Sequence, residues 1–276
     1  MIPPVRYRAP ESIAAAITLL SDEPEPVIVG GGTWVLPQLH RRERSASAII
    51  DLRRVGLDDV RLAEGRLRIG ATVTYSTLAA DELVATRAPL LARMAAQITG
   101  GVQVRNQGTI GGSACYATPS SDVPGCLVAL DAELELHGPG GARHVPAADF
   151  FTGAQETARN DDELLVAISV AADSRPWAYE KLKLSESSWP IATVAGTASP
   201  GGSVTLTLGA VSATPLRLKP RSEAEIPELL DAALVAPWDD VLAPADYRRR
   251  VAPAIARRAW RRLETVTGTD NGDHDD

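Results

Sequence analysis

The stretch TIGGSACYATPSSD, residues 109–122, decides how this chain is read. A threonine, an apolar residue, two glycines and a small polar residue give a backbone that turns sharply and presents bare amides, because glycine alone admits positive φ and close approach of another molecule. A chain accommodates a polyphosphate in that way. Asp122 stands at the end of a polar, proline-containing loop, before the apolar run 123–130. Upstream, Gly30, Gly31, Gly32 and Thr33 make a second glycine turn directly after residues 27–29, which read as a short buried strand. A strand that stops at glycines is a good place to dock a phosphate. Together the turns predict a dinucleotide site built from two separate loops, although each taken alone is equally an ordinary turn.

Around these turns the chain alternates helices and strands. Ile13, Ala16, Ile17 and Leu20 recur at i, i+3, i+4 and i+7, one face of a helix, with Pro10 where a first turn tolerates it. Residues 48–52 predict a second short strand that includes Asp51. An acid roughly twenty positions past the glycines invites a Rossmann reading. Against it, the third glycine of that pattern would fall at Val35, and Pro37 sits where the phosphate-binding helix should be under way. Leu67, Ile69 and Ala71 alternate with Arg66, Arg68 and Gly70 as in a half-exposed strand. Residues 74–84 then predict a helix, and a longer one starts at Pro89 and ends at Gly100 and Gly101. Residues 102–107 lead into the deciding loop. Strands follow at 132–136 and 163–170, and a shift of composition at 171–176 marks a domain boundary. Beyond it come strands at 179–184, 191–198 and 203–212 and helices at 222–234 and 244–263. Residues 267–276 have almost nothing to bury and predict a disordered tail.

At 276 residues the chain exceeds what one core usually serves, so two or three packed units are expected. A net charge of −7, with no long basic block outside the arginine-rich segment 248–262, argues against nucleic acid. That segment reads as an amphipathic helix with a basic outer face, either plainly solvated or a docking surface for a partner subunit. Two cysteines, Cys115 and Cys126, are too few for a disulfide framework and lack the spacing of a zinc or iron-sulfur site. The four histidines show no ligand spacing either, so no metal site is expected on this chain. The N-terminus lacks a signal-peptide pattern, and no run approaches the ~20 apolar residues of a membrane span. The expected location is the reduced cytoplasm.

Four segments, VGGGTWVLP at 29–37, TIGGSACYATPSSDVP at 109–124, DFFTGAQETARNDDELLVAISV at 149–170 and YEKLKLSESSWPIATVAG at 179–196, carry a family resemblance. The chain, over residues 3–265, resembles the FAD-binding medium subunit of the molybdenum hydroxylases, the group containing carbon monoxide dehydrogenase and xanthine dehydrogenase. The resemblance implies an α+β fold of the vanillyl-alcohol-oxidase type: an FAD-binding domain at 1–172, in two α+β subdomains of about 1–54 and 55–172, then a smaller α+β domain at 173–266.

It further implies that Val29, Gly30, Gly31, Gly32, Thr33 and Trp34 bind pyrophosphate and ribose through backbone amides. Thr109, Ile110, Gly111, Gly112 and Ser113 complete the contacts to diphosphate and ribityl, and Asp122 accepts from a sugar hydroxyl. Leu165 lies near the flavin or adenine rim, Lys181 near the flavin ring, and Trp189 where an aromatic covers one face of that ring. Departures are Ser113 for a common Asn, Trp34 for a small polar residue, and Trp189 for the usual Tyr.

By the same resemblance FAD belongs to this chain, while molybdopterin sits on a large partner subunit and two [2Fe-2S] centres on a small one, in a dimer of heterotrimers. The chain would pass electrons to an external acceptor and carry no catalytic residue of its own. Two alternatives stay open at this point, a stand-alone FAD-dependent oxidase and an FAD-binding scaffold or assembly protein with a degenerate site. Under the subunit reading, Gly31→Val or Gly111→Val is expected to put a side chain where phosphate lies and abolish flavin retention in a folded chain.

Overall fold

Residues 4–269 are described by the structure, a computed structural model. Its first sheet is parallel and small. Strand β1 (Arg6–Arg8), helix α1 (Ile13–Asp22), β2 (Pro26–Val29), helix α2 (Val35–Arg41) and β3 (Ala48–Asp51) give the order β1-β3-β2. Helix α1 starts where Ser12 Oγ accepts the Ala15 amide at 3.1 Å, and it buries Ala16 and Leu20. Those two residues join Ile50 and Leu52 on one side and Leu164 and Val166 on the other, so the first sheet is sealed by a strand from the second. Helix α2 corrects the reading of Pro37. Proline is only its third residue, in the first turn, where a missing N–H leaves no intrahelical bond unmade.

The second sheet is antiparallel, in the order β4-β5-β10-β6-β7. Its parts in chain order are β4 (Val60–Ala63), β5 (Arg66–Gly70), α3 (Tyr75–Ala80), α4 (Glu82–Arg87), α5 (Pro89–Ala96), α6 (Gly101–Gln107), α7 (Ile110–Tyr116), α8 (Asp122–Ala129), β6 (Glu133–Gly138), β7 (Gly141–Pro146), α9 (Ala147–Phe150), the short pair β8 (Phe151–Gly153) and β9 (Glu156–Thr157), and β10 (Leu164–Ala171). The single helix expected over 74–84 is two, because Asp81 leaves helical geometry and its Oδ1 caps the Val84 amide at 2.9 Å. The deciding stretch is also more helical than its glycines suggest. Residues 110–116 form α7, with Thr109 as its cap, and the apolar run after Asp122 is α8.

The third sheet is antiparallel too, in the order β11-β12-β13-β14. It consists of β11 (Trp177–Lys183), β12 (Pro190–Ala198), β13 (Val204–Gly209) and β14 (Leu216–Leu218), followed by α10 (Ile226–Ala233) and α11 (Ala245–Thr269). One face packs Val194, Leu206 and Leu208 under Ile255, Ala259 and Leu263 of α11. Tyr179 and Ala195 instead join the core of the second sheet. The third sheet is therefore gripped from both sides. Helix α11 runs to Thr269, into the segment expected as a disordered tail; residues 270–276 of that expectation lie outside the described residues.

The basic face of α11 is turned to internal use. Arg258 and Arg262 both pair with the buried Glu180 on β11, and Arg257 and Arg261 pair with Glu223. Arg248 is wholly buried and donates to the carbonyls of Ile191 (2.6 Å), Ala210 and Ala243 (3.3 Å) and to the Asp240 carboxylate. It staples the start of β12, the end of β13 and the first turn of α11. Asp240 collects further bonds from Trp238 Nε1 and the amides of Leu242 and Ala243.

Two stability predictions follow from these contacts. Arg248→Met takes the donor from three carbonyls and the countercharge from Asp240 and is expected to destabilise the chain by about 3–5 kcal/mol, read as a lower urea midpoint at unchanged slope. A loss under about 1 kcal/mol would show that water replaces the guanidinium freely. The second concerns Asp51, whose carboxylate accepts Arg53 Nε at 2.9 Å and the Tyr7 hydroxyl at 2.7 Å. Chiefly through Arg53, these bonds hold the Asp51 carboxyl down at about 2. A depressed carboxyl contributes stability that is full above its unfolded value, about 4, and lost as pH falls towards 2. Asp51→Asn is expected to cost about 1–2 kcal/mol near neutrality, reduced because Arg53 lies mostly in solvent, with the gap to wild type closing as pH falls through that window. A gap that is constant with pH would refute the ionic origin.

Candidate functional site

The two glycine turns meet. A Cβ on Gly31 would stand 1.7 Å from the Gln107 carbonyl oxygen and 3.1 Å from Gly108 Cα, so main chain packs on main chain where α6 passes into α7. Gly30 faces the cap of α7, its notional Cβ 2.9 Å from Thr109 Oγ1. Gly32 has φ +69, in the left-handed region, and this lets the chain turn from β2 into α2. Val29 is buried at the end of β2, in register with Asp51 on β3.

The turns differ in what they offer. In the second, Ile110 N–H donates to Val73 O (3.1 Å), Gly111 N–H to Ala71 O (3.0 Å), Gly112 N–H to Thr109 Oγ1 (3.1 Å) and Ser113 N–H to Thr109 O (3.1 Å). These amides are engaged within the chain. In the first, the amides of Gly31, Gly32, Thr33 and Trp34 have no hydrogen-bond acceptor among the described residues. Bare amides of the kind the sequence suggests at both turns are thus found at 31–34. What α7 offers outward is the exposed backbone of Gly112 and the side chain of Ser113.

Gly111 corrects a further expectation. It is buried, and a Cβ there would meet Ala71 O at 2.5 Å and Ala71 Cβ at 2.7 Å. Its smallness serves the packing of α7 on the chain after β5, not the space in front of the helix. Ile110 and Leu165 are likewise core residues, 0% and 3% exposed. Both support the site from beneath.

Side chains from three elements converge behind α7. Ser113 Oγ bonds to the Tyr75 hydroxyl, whose pKa burial pushes up. Asp122, the first residue of α8, is buried; its Oδ1 accepts the Tyr179 hydroxyl and its Oδ2 accepts Lys181 Nζ at 2.9 Å. Lys181 Nζ also donates to Gln97 O at 3.1 Å, and its side chain is 4% exposed. The lysine read as a neighbour of a flavin ring is therefore bonded to the aspartate read as a sugar ligand. The cap of α8 is Ser121, whose Oγ accepts the Val123 amide at 3.4 Å.

At the outer side, Trp34 packs against Tyr116 (centroids 4.8 Å) and edge-on against Trp189 (5.6 Å). Trp34 and Trp189 are each more than a third exposed. Burial pushes the Tyr116 phenol up to about 12. This cluster links the first turn, the end of α7 and the β11–β12 connection. Nearby, at the end of β3, a recess of about 290 Å³ is lined by Tyr7, Ala9, Asp51, Arg53 and Arg54. Sequence reasoning missed Tyr75, Tyr116 and Tyr179. For Tyr179 the signal was present, since residues two apart on a strand share a face and Lys181 was already singled out.

The geometry can be set beside known proteins. Residues 3–172 match the family described as FAD binding domain in molybdopterin dehydrogenase. The carbon monoxide dehydrogenase medium chain of Hydrogenophaga pseudoflava is 33% identical over 279 residues, covering 94% of this chain and 97% of that one. The xanthine dehydrogenase FAD-binding subunit of Escherichia coli O157:H7 is 38% identical over 163 residues, 58% of this chain and 56% of that one. In three dimensions the chain superposes on carbon monoxide dehydrogenase from Hydrogenophaga pseudoflava with a TM-score of 0.87 at 33% identity, over 95% of this chain and 99% of that one. Among the described residues no helix is long and apolar enough to cross a membrane. The chain belongs to the family of FAD-binding domains in molybdopterin dehydrogenases, as an FAD-binding subunit of the carbon monoxide dehydrogenase and xanthine dehydrogenase type.

Proposed function

We propose that this chain is the electron-transferring flavoprotein of a cytoplasmic three-part molybdenum hydroxylase. A small partner subunit would hold [2Fe-2S] centres and a large one molybdopterin, in a dimer of heterotrimers, and electrons would leave to an external acceptor. The observation that carries the reading is the row of amides at 31–34 that have no acceptor among the described residues, held beside the cap of α7 by main-chain packing in a chain of this family. Neutral N–H groups suit a diphosphate, a buried carboxylate suits sugar hydroxyls, and exposed tryptophans suit a flat ring; that donor set fits FAD. When bound, FAD supplies the redox chemistry itself.

The residues of the chain bind and orient. The first turn, Val29 to Trp34, would hold the diphosphate, with Thr109, Gly112 and Ser113 closing its other side and Asp122 engaging a sugar hydroxyl. Ile110, Gly111 and Leu165 would keep α7 and β10 in register beneath, and Trp189 would shield the ring. Lys181, paired with Asp122, would bring no net charge to the ring, in place of the lone cation its position in the sequence suggests. We read residues 1–172 as the FAD-binding part and 173–266 as the unit that covers the ring in part.

Three variants test this. The purified chain is expected to be yellow and to take up FAD. Gly112→Val, whose side chain leaves the exposed face of α7 and meets only Thr109 Oγ1, is expected to weaken FAD binding at least tenfold, about 1.4 kcal/mol, while losing no more than about 1 kcal/mol of stability. Gly111→Val should instead lose about 3 kcal/mol of stability against Ala71, with or without FAD. Gly31→Ala should drive the turns apart and lose FAD. Undiminished flavin retention in both Gly31→Ala and Gly112→Val would refute the site, and failure to co-purify with a small iron-sulfur chain and a large chain would refute the subunit role.

A further inference from the structure

We propose that Tyr179 is a positioning residue of the flavin site, acting through Asp122; this rests on the flavin reading above. The Asp122 carboxylate is buried and held from two sides by one strand. Tyr179 and Lys181 are two residues apart on β11, so their side chains leave the same face; Tyr179 donates to Oδ1, and Lys181 Nζ donates to Oδ2 at 2.9 Å while standing 2.9 Å from Oδ1 as well. A carboxylate oxygen accepts about two bonds. Oδ2 of Asp122 therefore keeps acceptor capacity for a sugar hydroxyl, while the plane of the group is fixed by the two donors it already has.

The donors are not equivalent. Lys181 is braced a second time by the Gln97 carbonyl, so it stays in place whatever Asp122 does. The Tyr179 hydroxyl has Asp122 as its only hydrogen-bond partner among the described residues. Its ring is packed in the core shared by the second and third sheets, and burial pushes the phenol well above its ordinary value, so it stays a donor. Take the hydroxyl away and the ring still packs, but the carboxylate is held by the Lys181 ammonium alone and can swivel about it. An acceptor whose direction is no longer fixed must be ordered when the ligand binds, and affinity falls accordingly.

A simple structural role would look different, and a double-mutant cycle on the purified full chain separates the two. FAD is removed, then titrated back, and its dissociation constant is read from flavin fluorescence. Tyr179→Phe is expected to weaken FAD binding about 5- to 20-fold, with the thermal midpoint of the FAD-free chain moving by only a few degrees. In an Asp122→Ala background the same change should shift the constant by less than about twofold, because the group it positions is gone. Asp122→Asn provides the second background should the alanine variant leave Lys181 unpaired and fail to fold. Equal weakening in both backgrounds, or none in the wild-type one, would overturn the positioning role while leaving the flavin site intact. A wild-type chain that takes up no FAD would overturn the flavin reading, and this proposal with it.

Discussion

The structure depends on one close approach, that of Gly31 to the Gln107 carbonyl. Backbone against backbone is the tightest contact two segments can make, and it brings a turn from the parallel sheet onto the cap of α7 with no side chain between them. Gly30 against Thr109 extends the contact. The amides of the first turn then lie beside α7 with no acceptor among the described residues, while those of α7 are consumed by Val73, Ala71 and its own cap. The arrangement is asymmetric for a physical reason. A helix that begins inside a packed core must satisfy its first amides internally, whereas a turn at the sheet edge can leave them for a ligand.

Charge is organised in the same spirit. A chain of net charge −7 gains nothing at long range towards a polyanion. Local neutral donors avoid the problem, and the cations that could have served are committed elsewhere. Lys181 is paired with Asp122, Arg258 and Arg262 share Glu180, and Arg248 is paired with Asp240. Arg248, Arg258 and Arg262 of α11 therefore act as cross-links between a helix and a sheet. Their regular spacing reports an amphipathic helix correctly, but the acceptors that complete them are far away in the chain and leave no local trace.

The same distinction separates what was legible in the sequence from what was not. Helix α1 and the strand around Leu67 announce themselves by period, because burial of one face imposes it, and the hairpin β12–β13 by the Pro and Gly of its turn. The two glycine turns are legible as places of close approach. Their partners are not, since the direction of a missing Cβ is a tertiary property: Gly111 points into Ala71 and Gly112 outward, though the sequence treats them alike. Local propensity also misled at α7, where glycines suggested a loop but the Thr109 cap and burial of Ile110 and Ala114 make a helix. Of the aromatic residues, Trp34 and Trp189 were visible as oddities, whereas Tyr179 was hidden by looking ordinary in a strand.

The third sheet completes the site that the first two begin. The parallel sheet and the α6–α7 junction contribute main chain, which can hold a phosphate but cannot orient a ring or a sugar edge. Side chains with direction come from β11 and the connection after it: Tyr179 and Lys181 grip Asp122, and Trp189 reaches Trp34. A buried ion pair is a poor way to gain stability, because desolvation of both charges offsets most of their attraction. Apolar residues of similar size would pack as well. The Asp122 and Lys181 pair is then best understood by what it specifies. Together with Tyr179 it fixes the rotation of a carboxylate at the first residue of α8, and by drawing on β11 it makes that rotation depend on the docking of the third sheet. Cofactor binding and the seating of the C-terminal unit are coupled through that carboxylate in the proposed function.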